Sequence, residues 1–121
     1  MIDHVGIRVS DLHASTELYR AALAPLGYEV LMSFEFGVGL GRDGMPDLWL
    51  YPGDPQGVQT HVAVSAPDRP SVDAFHAAAM NAGAQDTGSP RVRTEYHPTY
   101  YGAFVEDLDG HNLEAVCHLP P

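Results

Sequence analysis

Two histidines and one glutamate stand at places in this sequence where side chains of their types could bind a divalent metal ion. His4 and His61 each begin a short run of alternating apolar residues, "HVGIRV" and "HVAVS", and Glu114 lies in a third run, "HNLEAVCH". Two imidazole nitrogens and a carboxylate oxygen form a three-point site that leaves coordination positions open for water or substrate. A single histidine at a strand start is more often a surface residue, so the surrounding elements decide whether the three meet.

The sequence around each histidine follows the same plan. A predicted strand, a turn and a helix run from His4 to Gly27, and the same series runs from His61 to Gly83. The two histidine-to-glycine intervals differ by one residue, which indicates an internal repeat. Each helix has a candidate cap and an apolar stripe: Asp11 or Ser10 before Leu18, Ala22 and Leu26, and Asp68 or Ser71 before Val72, Phe75 and Ala79.

Three short extended runs follow each predicted helix, so each half is predicted to form a strand, a helix and three strands. The runs are "YEVLMSFEF", "GVGLGR" and "PDLWLY" in the first half and "RVRTEY", "YYGAFVED" and "HNLEAVCH" in the second. We therefore predict an α+β fold in a single domain, 1–121. Two βαβββ modules, about 1–52 and about 59–119, are joined by the linker 53–58, and their sheets lie side by side and curl around a cleft, with the helices outside.

Alternation of side chains along the strands predicts which residues face that cleft. The aliphatic residues of the first strand share one side, where they can pack under the first helix, so His4 points into the cleft. The same parity directs His61 there. If the apolar residues of the last strand also pack outward, Glu114 joins the two histidines. The repeat therefore predicts that three side chains from three strands meet at one concave surface.

Charge and cysteine content exclude several other classes of function. The net charge is −10, from sixteen acidic residues against six arginines, and the sequence contains no lysine. Such a surface repels phosphate backbones and anionic lipids, so we expect neither nucleic acid nor a membrane as partner. The single Cys117 excludes an internal disulfide, and no secretory signal is apparent, so the expected location is the cytoplasm. The acidity either keeps the protein soluble or attracts a cationic ligand.

The sequence, with its repeat and its three side chains of types that bind metals, resembles the vicinal oxygen chelate superfamily. The resemblance rests on "DHVGIRVSDLHASTELY", on "THVAV" and above all on "AFVEDLDGHNLEAV". The last stretch is similar to that family's signature of an aromatic residue, D-P-D-G and a hydrophobic-Glu pair, with Leu108 where proline is usual. The superfamily contains glyoxalase I, extradiol dioxygenases, methylmalonyl-CoA epimerase and the bleomycin and fosfomycin resistance proteins.

The resemblance carries expectations about the metal and the assembly. It implies that the cleft holds a divalent ion, Fe, Mn, Ni or Zn, which a small oxygen-chelating substrate also binds. His4, His61 and Glu114 fall on the family's metal-ligand positions. Small two-module relatives usually act as dimers, sometimes with cleft residues contributed across the interface, so a homodimer is expected.

One position departs from the pattern of glyoxalase I, which has a fourth protein ligand on its fourth strand. The repeat places Trp49 there, and an indole cannot bind a metal. Asp47 shares the face of Trp49 and is a possible substitute. Three ligands resemble the two-histidine, one-carboxylate triad of the extradiol dioxygenases, which suits Fe(II) or Mn(II). Those enzymes commonly carry four modules in one chain, whereas this chain has two.

Other residues are expected to line the cleft. Glu114, His97 and Tyr101 are the candidate catalytic residues that transfer a proton, although a solvated loop residue is the alternative for His97. Arg8 is a candidate to hold a substrate carboxylate, or else pairs with one of the acids. Trp49 and Tyr100 are candidate substrate contacts, and Trp49 either stacks on an aromatic ligand or fills the cleft.

Three classes of function remain open on this basis. We favour a metal-dependent enzyme, either a lyase or isomerase of the glyoxalase type or a ring-cleaving dioxygenase. The alternative is a metal-free protein of the bleomycin-resistance type that sequesters a cationic drug, which the charge of −10 and Trp49 favour. The third is an interaction module that has kept only the fold. Metal binding separates the first class from the other two.

Overall fold

A computed structural model describes residues 1–121, which form two consecutive strand–helix–three-strand units. The first unit contains β1 (Val5–Val9), α1 (Leu12–Leu23), β2 (Glu29–Phe34), β3 (Gly37–Arg42) and β4 (Met45–Pro52). The second contains β5 (His61–Ser65), α2 (Arg69–Asn81), β6 (Gln85–Val92), β7 (Tyr101–Glu106) and β8 (Asn112–Cys117). The predicted two-module α+β fold is confirmed.

The two units have the same sheet topology. Their strand orders are β1-β4-β3-β2 and β5-β8-β7-β6. In each sheet the first strand is parallel to the last, and the other neighbours are antiparallel. The sheets stay separate rather than joining into one curled sheet, because β1 and β5 form no hydrogen-bonded ladder. The Arg8 carbonyl on β1 instead accepts a hydrogen bond from the His111 side chain at 2.8 Å.

Aspartate caps and glycine ends position the two helices. The Asp11 carboxylate accepts from the backbone N–H of Ala14, and the Asp68 carboxylate accepts from that of Ser71. The backbone after each helix turns at a glycine with positive φ, 86° at Gly27 and 107° at Gly83. The predicted apolar stripes are buried at Leu18, Ala22, Leu26, Val72, Phe75 and Ala79. Neither helix combines the length and the apolar composition needed to cross a membrane.

The sixth strand lies earlier than the sequence predicts. It spans Gln85–Val92, so only Arg91 and Val92 of the predicted strand "RVRTEY" belong to it, and a turn covers the last three residues. Gly88 and Pro90 obscure this strand in the sequence because both residue types are typical of turns. They are tolerated because β6 is the edge strand of its sheet and its pairing with β7 is irregular on both sides of Gly88. As a result Arg93 and the residues after it form a loop.

The turn between β7 and β8 links the second module to the first. Three of its residues, Asp107, Asp109 and His111, which we call the inter-module latch, each make a hydrogen bond to the first module. The bonds run from the Tyr19 hydroxyl to Asp107 at 2.6 Å, from the Ser10 backbone N–H to Asp109 at 3.1 Å, and from His111 Nε2 to the Arg8 carbonyl at 2.8 Å. The latch therefore fixes how β1 and β5 lie beside each other.

Candidate functional site

A buried glutamate and a half-exposed histidine meet on the open face of the second sheet. His61 begins β5, and Glu114 lies in the middle of the neighbouring parallel strand β8. The Nε2 atom of His61 lies 2.7 Å from Oε1 of Glu114. The Glu114 side chain is 1% exposed and that of His61 is 55% exposed. The pair therefore presents a deep carboxylate with an imidazole between it and the solvent.

Tyr100 forms a hydrogen bond with the second carboxylate oxygen of Glu114. Its hydroxyl donates a hydrogen bond to Oε2 of Glu114. Burial, followed by this hydrogen bond and the Glu114 charge, raises the pKa of Tyr100 above its ordinary value. The phenol therefore keeps its proton throughout the neutral range and holds it against the carboxylate.

Aromatic residues surround the pair and shape a cleft above it. We call this the His61–Glu114 cleft, and its lining residues are His61, Tyr96, Tyr100, Phe104, Asn112 and Glu114. Phe104 lies directly opposite Glu114 in the antiparallel pairing of β7 with β8, so both side chains project to the same face. The Phe104 and His61 rings are 6.0 Å apart. Aromatic rings thus lie beside the only buried carboxylate of this cleft.

The donor atoms of the pair are suitable for a divalent metal. An imidazole nitrogen and a carboxylate oxygen are ligands that Fe, Mn, Ni and Zn accept. Two adjacent ligands at about 2.1 Å from one ion are separated by about 3 Å, and the observed 2.7 Å between His61 and Glu114 is close to that value. One chain therefore brings together two of the three side chains that the sequence predicts as ligands.

The structure does not bring His4 to this pair within one chain. Its Nδ1 atom bonds the exposed carboxylate of Asp3 at 2.8 Å. Val5 lines a cavity with Val62 to Val64, whereas Arg8 lines a different one with Thr60. The start of β1 thus lies beside the body of β5, and the end of β1 lies beside the residue that precedes His61. Because the two edge strands run in opposite directions, their first residues lie far along the edge from each other.

The three latch residues are also of types that can bind a metal. Their potential ligand atoms lie within 4.8 Å of one another. The donors and acceptors of the latch are already used by the protein. His111 Nδ1 accepts from the Thr60 backbone N–H, and Nε2 donates to a carbonyl, so the neutral ring has no free lone pair. Asp107 accepts three hydrogen bonds, one of them from a tyrosine. These contacts favour a structural role for the latch.

The two candidate proton-transfer residues lie outside the cleft. Tyr101 is one residue from Tyr100 but on the opposite face of the sheet, where its hydroxyl donates to Asp73 of α2 at 2.6 Å. His97 is an exposed loop residue whose Nδ1 accepts from the backbone N–H of Thr99. Of the tyrosines and histidines proposed from the sequence, Tyr100 and His61 contact Glu114 directly.

The remaining candidates lie on the first module. The Trp49 indole is packed over Gly39, where a β-carbon would come within 2.9 Å of the ring, and it lies parallel to Tyr51 at 6.1 Å. Asp47 accepts a hydrogen bond from the Tyr28 hydroxyl at 2.8 Å. Arg8 is exposed and lines a cavity with the linker rather than with His61. Within one chain these residues belong to a different surface from the His61–Glu114 cleft.

Two residues beside the cleft, Phe104 and Arg93, are not predicted as site residues from the sequence. Alternation in "YYGAFVED" places Phe104 on the face of Glu114 once the pairing of β7 with β8 is known, so a periodic signal exists for it. Arg93 has no such signal, because it follows the irregular strand β6 and the predicted strand there does not form. Arg93 is 6% exposed and lines an adjoining cavity, which shares His61, Tyr96, Phe104 and Asn112 with the cleft.

Comparison with known proteins agrees with this architecture. The profile of the Glyoxalase/Bleomycin resistance protein/Dioxygenase superfamily matches residues 1–115. A glyoxalase/bleomycin resistance protein from Albidiferax ferrireducens T118 is 24% identical with a TM-score of 0.78, covering 94% of this chain and 95% of the other. No curated protein matches the sequence.

Two further solved structures share the fold at lower identity. Lactoylglutathione lyase from Agrobacterium tumefaciens is 17% identical with a TM-score of 0.70, covering 97% of this chain and 92% of the other. The oxidase ChaP-H2 is 19% identical with a TM-score of 0.69, covering 99% and 94%. Identities this low establish the shared fold alone. The match over residues 1–115 shows more: the chain belongs to the Glyoxalase/Bleomycin resistance protein/Dioxygenase superfamily.

Proposed function

We propose that this protein is a metal-dependent enzyme acting on a small oxygen-chelating substrate, with His61 and Glu114 as metal ligands. The observation that supports this most is the buried Glu114 carboxylate 2.7 Å from the half-exposed His61 imidazole, at the base of a cleft. A divalent ion bound there would polarise adjacent oxygens of the substrate. Both a glyoxalase-type lyase or isomerase and a ring-cleaving dioxygenase use such polarisation.

The chain's own residues then have distinct tasks. Tyr100 donates a hydrogen bond to Oε2 of Glu114, which orients the carboxylate so that Oε1 faces His61 and a bound ion. Phe104, Tyr96 and the His61 ring form the walls of the cleft against which a substrate can pack. The hydrogen bond to Tyr100 thus keeps Glu114 in the position in which it would bind the ion.

We further propose that the protein is a homodimer and that His4 of a second copy completes the ligand set. His4 is about half exposed, and within its own chain its ring contacts only exposed Asp3. The Asp3 carboxylate is placed to orient the imidazole, as carboxylates commonly do for metal-binding histidines. A second copy can bring an exposed His4 to the half-exposed His61, whereas the antiparallel edge strands prevent this within one chain.

Metal uptake by the purified protein tests the proposal. Fe(II), Mn(II), Ni(II) and Zn(II) are each added to chelator-treated protein, and the apparent melting temperature is measured together with the metal content. We expect at least one of the ions to raise the melting temperature, because a ligand that binds the folded state stabilises it, and to be retained at about one ion per chain. Absence of both effects with all four ions contradicts the proposal.

Mixing two variants tests the shared site. His4→Ala and Glu114→Ala each remove a ligand, so we expect neither variant alone to retain metal. If the site is built from two chains, dissociating and reassociating an equimolar mixture restores about one quarter of the wild-type metal content, because half of the dimers are mixed and each has one intact site. No recovery in mixed dimers, verified by native mass spectrometry, contradicts a shared site.

One observation favours the second candidate, a metal-free protein that sequesters a ligand. The open face of the first sheet carries the parallel pair Trp49 and Tyr51, and the rings of Phe34 and Phe36 are stacked 4.8 Å apart beside β3. Phe34 and Phe36 are exposed. Such a face with a net charge of −10 suits a planar cationic compound. This candidate gains support if none of the four metal ions is taken up.

A further inference from the structure

Arg93 is a buried cation that forms no ion pair, and Glu95, whose pKa is lowered chiefly by its hydrogen bond with Arg91 and also by the charge of Arg93, is paired with Arg91 instead. Arg93 is 6% exposed, and none of the chain's ion pairs includes this residue. Buried charges in proteins are normally paired with an opposite charge. The absence of a partner is notable in a chain with sixteen acidic residues. Glu106 lines the same adjoining cavity as Arg93, yet forms no hydrogen bond or ion pair with it.

Backbone carbonyls and an aromatic ring hold the guanidinium in a fixed position. Its Nε–H donates to the Gly102 carbonyl at 3.2 Å, and Nη2 donates to the Ser89 carbonyl at 2.9 Å. The group lies over the Phe104 ring, 4.6 Å from its centre. Nη1 has no partner in the chain and is not sealed from solvent. Since an arginine has five N–H donors, both Nη1 donors remain for a ligand.

A glycine provides the space for this arrangement. A β-carbon at Gly88 would lie 2.7 Å from the Phe104 ring and 2.8 Å from Nη2 of Arg93. Either contact would force one of the two groups to move. The irregular pairing of β6 with β7 around Gly88 also releases the Ser89 carbonyl, which Arg93 then uses. The guanidinium is therefore pre-organised at the wall of the cleft.

The position of Arg93 connects it with the proposed metal ligands. Arg93 lines the same cavity as His61, Phe104 and Asn112. Its charge is close enough to Tyr100 to oppose the increase in the pKa of that phenol. A ligand that reaches Glu114 can thus extend one end toward Arg93.

We propose that Arg93 binds a carboxylate of the ligand that occupies the His61–Glu114 cleft, through the free Nη1 donors. The substrate is accordingly a small carboxylic acid, with its apolar part against Phe104 and Tyr96. This inference rests on the proposed function in that it uses the same cleft. Carboxylate binding by Arg93 requires no metal, so the two can be tested separately.

Metal-free protein and a matched pair of probes test this inference. Benzoate and benzamide have nearly the same shape, but only benzoate carries a negative charge. We expect chelator-treated wild-type protein to bind benzoate saturably in calorimetric titration and benzamide at least about 10-fold more weakly. In NMR spectra of the side chains, the Arg93 Nε–H resonance should shift with benzoate and not with benzamide. Equal affinities for the two probes, or no saturable benzoate binding at millimolar concentrations, overturn the inference.

Variants separate recognition from a purely structural role. Arg93→Gln should lose the preference for benzoate, and Arg93→Lys should retain a smaller preference of about 3-fold, because an ammonium group keeps the charge but lacks the planar fork. Arg91→Gln is the control, since Arg91 is exposed and already paired with Glu95 at 2.9 Å. Retention of the full preference in both Arg93 variants overturns the inference. If Arg93→Gln does not fold, the inference is tested by the benzoate preference of Arg93→Lys and by the comparison of benzoate with benzamide on the wild-type protein.

The outcomes for Arg93 and for the metal can be told apart. Benzoate preference without metal uptake supports Arg93 as a carboxylate-binding residue and contradicts the metal-dependent enzyme. Metal uptake without benzoate preference supports the metal-dependent enzyme and contradicts Arg93 as a carboxylate-binding residue. Neither result depends on knowing the reaction.

Discussion

Replacement of Glu114 by glutamine is expected to weaken metal binding by about 100-fold or more, since loss of an outer-shell partner alone costs 10–100-fold. The substitution keeps the size and shape of the side chain but removes the negative charge that a divalent ion requires. Metal content after dialysis and the melting temperature with added metal provide the measurement. A Glu114→Gln protein that retains metal like the wild type contradicts the assignment of Glu114 as a ligand.

The metal-free stability of Glu114→Gln distinguishes loss of a ligand from loss of the fold. Glu114 is 1% exposed, so glutamine replaces a buried charge with a neutral group of similar volume. Removing one partner of an ion pair is costly when the other is left as a buried charge, but His61 is 55% exposed and can be solvated instead. We therefore expect an unchanged or higher free energy of unfolding without metal. Glu106→Gln, which alters another carboxylate beside the same cleft, is the matched control and should leave metal binding unchanged.

Replacement of Asp107 by alanine is expected to lower the free energy of unfolding by about 3 kcal/mol or more. Asp107 is 6% exposed, and its two oxygens accept from the Tyr19 hydroxyl and from the backbone N–H groups of Asp109 and His111. Alanine leaves these three donors without an acceptor. Urea denaturation followed by circular dichroism measures the loss.

Two further variants show whether the contact between modules contributes to this loss. Burial and the Asp107 charge raise the pKa of Tyr19 well above its ordinary value, so its hydroxyl donates at all neutral pH values. Tyr19→Phe removes that one donor and should cost about 1–3 kcal/mol. Tyr101→Phe is the control, because its hydroxyl bonds Asp73 in an exposed position and its loss should cost less. Equal losses in the two phenylalanine variants contradict a special role for the latch.

Patterns within one module could be predicted from the sequence, whereas the contact between modules could not. His61 and Glu114 lie on neighbouring strands of one sheet, so alternation along each strand was sufficient to place them on the same face. His4 occupies the matching position in the other repeat. The repeat contains no information on how two modules dock, and the latch and the paired helices determine that arrangement instead.

Single-residue register explains the other differences between prediction and structure. Tyr100 and Tyr101 are adjacent and chemically identical, and only the start of β7 at Tyr101 directs one hydroxyl to Glu114 and the other to α2. Arg93 depends on a strand that contains Gly88 and Pro90. Its role is set by tertiary contacts, with two carbonyls and one ring, that no local pattern encodes.

The burial of the only thiol gives this protein an internal reporter of strand opening. Cys117 is 1% exposed and ends β8, which lies between β5 and β7. Cys117 lines a cavity with Leu119 and Pro120, so a thiol-specific reagent modifies it when the C-terminal residues or the end of the strand that carries Glu114 move away. The labelling rate measures the frequency of that event without any introduced probe, and its slowing reveals any compound that clamps the strand, even before a reaction is known.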